Sequence, residues 1–166
     1  MARFAHQRHK PPSALTVPRE LVLVCAPLRS NVNFSRIVRT ACCCGVSRLI
    51  ACGKPRLDPN IARIERDAVA LEVHRTLPPV LQSLRQGGYQ LVGLEQASGS
   101  ECLFTFPFAR RTALIVGNER QGLTEDVMQS LDRVAEIPVY GMPYSYNVAT
   151  AVAMALYEYC RQYPSG

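Results

Sequence analysis

From Glu20 onward the chain alternates short aliphatic runs with amphipathic helical stretches, and this alternation restricts the possible folds more than any single motif. The strand-like runs are Leu21–Ala26, Arg48–Ala51, Ala68–Val73, Gln90–Leu94, Ala113–Val116 and Val134–Ile137, each bounded by glycine, proline or charge. Between the first two, Phe34, Ile37, Val38 and Ala41 recur at i, i+3, i+4 and i+7, which predicts a helix with one apolar face over Asn33–Cys44. Leu77–Gln86 and Thr124–Leu131 read as shorter helices, the second with Thr124 at its N-cap ahead of the acidic pair Glu125 and Asp126. Asn147–Gln162, rich in alanine and apolar nearly all round, reads as the last helix. Strands alternating with helices predict an α/β fold, a mostly parallel sheet of about six strands with helices on both faces.

The chain has 166 residues, 48% of them hydrophobic, enough for one domain with a working core and too many for a disordered chain. No uninterrupted apolar run reaches about 18 residues, so no membrane span is expected. Residues 1–19 read as a flexible basic arm carrying Arg3, Arg8 and Lys10 with His6 and His9, and residues 20–166 as a single domain. The arm has no apolar stretch before a small-residue cleavage site, so a secretory signal is not predicted and a cytoplasmic location is expected. The formal charge of +6 favours polyanionic partners, and its distribution says more than its size: Arg29, Arg36 and Arg39 crowd one stretch, Arg110, Arg111 and Arg120 another. The seven cysteines form an odd set with no C-x-x-C pair. Neighbours on a helix point about 100° apart, so Cys42, Cys43 and Cys44 do not converge on one ion. They read as small apolar residues in a reducing compartment, and no metal is expected.

In parallel α/β sheets the ligand site lies outside the carboxyl ends of the strands, and the unusual residues of this sequence fall there. Asn31, Asn33 and Arg39 follow the first strand, Gly117–Glu119 the Ala113–Val116 strand, and Gly141–Asn147 the last. Gly117 either lets a ligand approach the backbone or belongs to an ordinary strand-to-helix turn. The run is neither G-x-G-x-x-G nor a Walker loop, so dinucleotide and NTP binding lack their usual signatures. In Ile137–Asn147, two prolines and a glycine fix an irregular loop, and Ser145 is placed to cap the following helix. Tyr140, Tyr144 and Tyr146 either stack on a planar group or cover the sheet edge. Asn33 and Arg39 are six residues apart and do not share a helix face, and Arg39 by itself reads as a solvated or salt-bridged arginine.

Taken together, three segments resemble the three motifs of the SpoU/TrmH family within the SPOUT superfamily of knotted methyltransferases: Asn33-Phe34-Ser35-Arg36-Ile37-Val38-Arg39-Thr40-Ala41, Ile115 through Leu123, and Glu136-Ile137-Pro138 through Ser145-Tyr146-Asn147-Val148. The resemblance runs from about Glu20 to Gln162. Gly93-Leu94-Glu95-Gln96, followed by the Gly-Asn-Glu-Arg loop, is similar to the tRNA ribose methylases that act on a D-loop guanosine. The resemblance implies a C-terminal deep trefoil knot and S-adenosylmethionine as the cofactor. It places cofactor contacts at Leu94, Gly117, Ile137, Met142, Ser145 and Tyr146, and catalytic or site-shaping roles at Asn33, Arg39, Glu119, Ser145 and Asn147. It further implies methylation of a ribose 2′-hydroxyl in RNA, tRNA before rRNA, by a homodimer paired through the last helix, without a metal. The family usually carries leucine where this chain has Tyr146. The alternative reading is a non-catalytic RNA-binding module that has kept the fold; a nucleotide-dependent oxidoreductase fails on the missing glycine fingerprint.

Overall fold

A computed structural model of the protein describes residues 4–7, 10–64 and 68–166. Arg3, Arg8 and His9 of the basic arm lie outside the described residues. The elements run β1 Leu21–Cys25, α1 Asn31–Cys43, β2 Arg48–Cys52, α2 Pro59–Ala62, β3 Ala70–His74, α3 Leu77–Gln86, β4 Gln90–Leu94, β5 Glu101–Cys102, β6 Thr112–Val116, α4 Glu125–Gln129, β7 Arg133–Glu136 and α5 Val148–Gln162. All strand pairs are parallel, in the order β3-β2-β1-β6-β4-β7-β5.

Among the described residues the sheet therefore has seven strands, not six. The additional one, β5, is two residues long on an edge, pairing only with β7. Two residues are too few to carry a period-2 pattern, so the sequence gives no sign of it. The single turn α2 escapes notice for the same reason; Asp58 caps it by accepting from Asn60 N at 2.9 Å, and Pro59 occupies its first turn.

Side-chain alternation in the central strands builds two cores. Leu21, Leu23 and Cys25 of β1 join Phe34, Ile37, Val38 and Ala41 of α1 and Ala149, Val152, Ala155, Leu156 and Tyr159 of α5 on one face. Val22 and Val24 join Leu77, Val80, Leu81 and Leu84 of α3 on the other. β1 and β6 are buried along their whole length, which is why they read as unbroken aliphatic runs rather than alternating ones. The edge strand β3 leaves Leu71 and Val73 exposed.

Helix ends and caps differ from expectation in three places, although α4 starts after Thr124 as expected. α1 begins two residues earlier, because Ser30 accepts from Asn33 N and caps it. Thr124 holds the N-cap position of α4 without a side-chain cap bond, and the helix stops at Gln129. α5 is capped by Asn147, which accepts from Ala149 N at 2.9 Å, and not by Ser145, which is exposed two residues too early to reach the first turn.

Arg19, the last residue of the expected arm, is buried. Its Nε donates to the Cys44 carbonyl at 2.7 Å and its Nη1 to the Tyr163 carbonyl, so one cation serves the C-terminal ends of α1 and α5 together. Those ends carry unpaired carbonyls and negative partial charge, which a guanidinium satisfies on both counts. Thr16 N donates to Ser165 O at 2.9 Å, so the segment before β1 is tied to the chain's C-terminus.

Candidate active site

The order in which strands are laid down creates the site. β1, β2 and β3 progress toward one edge, β4 then starts on the other side, and β6 fills the place between β1 and β4. The carboxyl ends near such a reversal splay their loops apart and leave a crevice. Here the crevice is a cleft of about 490 Å³, bounded by the exits of β4, β6 and β7, the first turn of α1 and the start of α5. Leu94, Val116, Ile137, Val139, Val148 and Ala151 form an apolar wall; Asn33, Glu119 and Asn147 lie among the polar lining.

The three polar residues form a chain across the first turn of α1, the β6 exit and the N-cap of α5. Asn147 Nδ2 donates to Asn33 Oδ1 at 3.1 Å, and Asn33 Nδ2 donates to Glu119 Oε1 at 3.2 Å. Glu119 also accepts from Ser30 N at 2.9 Å and Arg29 N at 2.8 Å, the amides at the entrance to α1. Burial alone would push the Glu119 carboxyl up, but those two amides, with its own and with Asn33, outweigh it and hold the group below the usual carboxylate range. A fixed anion at a helix N-terminus is also favoured by the helix dipole. Glu119 is thus an ionised acceptor that locks the β6 exit to the β1 exit.

The β6 exit is a closed turn. Asn118 N donates to Gly122 O at 3.0 Å and Gly122 N to Asn118 O at 2.8 Å, while Asn118 Nδ2 reaches Pro27 O at 2.8 Å. Gly122 has φ +63°, a backbone region that glycine enters without strain. Glu95, from the β4 exit, accepts from Leu123 N at 2.8 Å and seals the far side of the turn. Gly117 is buried, and a Cβ built on it would lie 2.5 Å from Gly122 O and closer still to Gly122 C and Leu123 N. The turn itself excludes a side chain at Gly117, before any ligand is considered.

The structure brings together Asn33, Leu94, Gly117, Glu119, Ile137, Ser145, Tyr146 and Asn147 around one cleft. It does not bring Arg39 or Met142 into the lining. Arg39 is exposed on α1, opposite the buried Phe34–Ile37–Ala41 stripe, and Met142 is 77% exposed. Of the three tyrosines, only Tyr146 faces the cleft; Tyr140 and Tyr144 are 85% and 75% exposed and do not cover the sheet edge. Sequence reasoning named Asn118 only within its motif and gave no role to Glu95 or Ser30: Asn118 and Glu95 bond main-chain groups of other loops, and the Ser30 amide donates to Glu119. The position of Glu95 directly after a strand was the available signal.

Fold and cleft define a parallel α/β protein whose ligand site sits at a topological switch, formed by three loops bound to one another. The model of the SpoU rRNA Methylase family matches residues 20–157, and the chain belongs to that family. It is similar to the tRNA (guanosine(18)-2′-O)-methyltransferase of Aquifex aeolicus, with 30% identity over 87% of this chain and 70% of the relative. A crystal structure of an A. aeolicus TrmH/SpoU tRNA modifying enzyme superposes with a TM-score of 0.83 at 28% identity, covering 90% of this chain and 78% of the other. The SpoU methyltransferase AviRb from Streptomyces viridochromogenes, solved in complex with the cofactor AdoMet, superposes with a TM-score of 0.74 at 27% identity over 92% of this chain and 61% of that one. Against several bacterial relatives the chain spans 56% to 70% of their length.

Proposed function

We propose that this protein transfers a methyl group from S-adenosylmethionine to a ribose 2′-hydroxyl of RNA, with tRNA as the substrate. The observation that carries the reading is the Glu119–Asn33–Asn147 chain, which joins all three motif segments of a SpoU-family protein across one cleft.

The cleft fits the cofactor. Its volume falls within the range of about 300–1,000 Å³ common to small-molecule sites, and it pairs an apolar wall with a few fixed polar groups. Leu94, Gly117, Ile137, Ser145 and Tyr146 would hold the cofactor, largely through main-chain groups on the three exits. Met142, turned to solvent, is not part of this set. When bound, S-adenosylmethionine supplies an electrophilic methyl group on a sulfonium. The protein's own work is to hold the ribose hydroxyl in line and to stabilise the charge that develops on its oxygen. Glu119 positions Asn33 and the entrance of α1 rather than acting as a base, since its lone pairs are already engaged by N–H donors. Arg39 lies about 9 Å along α1 from Asn33, given a rise of 1.5 Å per residue. In this reading an RNA strand crosses α1, and Arg39, exposed outside the cleft lining, would reach over to clamp the emerging alkoxide and the neighbouring phosphate. A guanidinium offers five N–H donors and no acceptor, so it serves there as a charge and not as a base.

We propose two further family traits. The C-terminal segment forms a trefoil knot; in support, residues after β7 line one cleft with the exits of β4 and β6 before α5 packs beside α1. Two copies pair through α5, whose outer side, with Phe104 at 65% and Tyr157 at 71% exposure, forms an apolar groove with Leu103, Ala153 and Met154. The compartment is read as cytoplasmic, in keeping with seven free cysteines.

The test is calorimetric and kinetic. S-adenosylmethionine should bind one site per chain, and Arg39→Ala should lower single-turnover methylation of unmodified tRNA by on the order of 10²–10³ with cofactor affinity retained. Binding of tRNA without any cofactor uptake would establish the non-catalytic module instead.

A further inference from the structure

Beside the cleft, the exit of β2 carries the sequence Gly53-Lys54-Pro55-Arg56. Both cations are exposed, and neither forms an ion pair with any described residue. Exposed cations on a loose loop would mean little, but this loop is pinned at both ends. Gly53 has φ +86°, a Cβ built on it would lie 3.1 Å from Pro27 Cβ, and its N–H donates to His74 O at 2.8 Å. At the other end Asp58 N donates to Ser35 Oγ at 2.9 Å, and Ser35, fully buried in α1, donates in turn to Asn31 O at 2.7 Å. Pro55 restricts the backbone between the two cations. Pro27, against which Gly53 packs, is held by Asn118 of the cleft turn. The β2 loop is therefore fastened, through Pro27, to the loop that closes the cleft.

The consequence is a row of exposed positive charge along the carboxyl edge. Arg120 leaves β6, Arg29 leaves β1, and Lys54 and Arg56 leave β2; all four are exposed. These three strands are adjacent, so their exits span about 10 Å at 4.8 Å per strand. The acidic groups among these exits are already engaged: Glu119 by Arg29 N, Ser30 N and Asn33, and Asp58 as the cap of α2. Four exposed cations over these exits outnumber Glu119 and Asp58, whose carboxylates are turned to their own N–H donors, and such an excess matches a phosphodiester backbone, which binds by releasing its counterions.

We infer that the β2 loop, through Lys54 and Arg56, is a docking strip for the RNA backbone that extends the substrate path beyond the cleft. This rests on the reading of RNA as the substrate. The strip positions the strand without reading its sequence, because phosphate contacts carry no base information.

The experiment measures binding of an unmodified tRNA transcript by filter retention between 50 and 300 mM salt, for the whole chain and for the double variant Lys54→Gln/Arg56→Gln; roughly these salts bracket the range where phosphate contacts dominate. Loss of two contacts should make the slope of log affinity against log salt shallower by about 1.5, near 0.7–0.9 for each contact. S-adenosylmethionine affinity and melting temperature should stay at their original values, since neither side chain touches the cleft. A charge-keeping variant, Lys54→Arg/Arg56→Lys, should retain the original slope. Equal slopes in the chain and the glutamine variant, with tRNA bound by both, would overturn the strip and leave the methyltransferase reading standing. Failure of the unaltered chain to bind tRNA would overturn both.

Discussion

Replacing Gly117 by alanine puts a methyl group into space taken by the main chain of its own loop. The new Cβ would sit 2.5 Å from Gly122 O and nearer to Gly122 C and Leu123 N, all backbone atoms that no rotamer change can move aside. Relief requires shifting residues 118–122, which breaks the paired bonds between Asn118 and Gly122. Overpacking costs about 1–3 kcal/mol. Each net hydrogen bond lost adds about 1 kcal/mol, part of it recovered by water because Asn118 is only half-buried. The expected destabilisation is about 2–4 kcal/mol. With a urea slope of about 2 kcal/mol per molar, the unfolding midpoint should fall by about 1–2 M. Circular dichroism across a urea series measures this without any ligand. A midpoint within about 0.3 M of the original, given that same slope, would show that the turn accepts a side chain and that glycine there answers only to a ligand.

Glu119→Ala should destabilise by about 1–3 kcal/mol, since it strips the acceptor from two amides at the start of α1 and releases Asn33, and it should weaken cofactor binding. Because the folded-state pKa of Glu119 is depressed, its contribution is present above the ordinary glutamate value of about 4.3 and is lost as pH falls through the lower folded value. The difference in stability between the original chain and Glu119→Gln, followed by thermal melts at stepped pH, should therefore shrink on acidification through that window; a constant difference would contradict the assignment. Arg19→Ala should cost about 1–3 kcal/mol by leaving the Cys44 and Tyr163 carbonyls without their donor, with Arg19→Lys recovering part of it. Phe104→Glu should yield a monomer by light scattering at micromolar concentration if two copies meet at the α5 groove.

The elements most legible in the sequence are those whose burial follows a period. β1 and β6 announce themselves as aliphatic runs, and the apolar stripe of α1 gives that helix its orientation and places Arg39 on its outer side. β5 and α2 were invisible because they are shorter than any period. In the site, the motif segments marked where the loops would gather, and Asn33, Glu119 and Asn147 did meet. Their partners could not be read, since Glu119 bonds backbone amides 89 and 90 residues away and amides carry no sequence signature. Gly117 shows the same gap differently. A glycine at a strand exit suggests room for a ligand, whereas the crowding atoms belong to its own turn. Ser145 was read as a cap because serine favours that position; Asn147 favours it equally and stands directly before α5.

The central claim is the chemistry, and nucleoside mass spectrometry addresses it most directly. Unmodified tRNA transcripts incubated with the purified chain and isotopically labelled S-adenosylmethionine would be digested to nucleosides and their fragments weighed. The account predicts label in one nucleoside type, retained on the ribose fragment and not on the base. It also predicts that this label falls steeply in Arg39→Ala. Label on the base fragment, or none at all from a chain that binds both cofactor and tRNA, would contradict it.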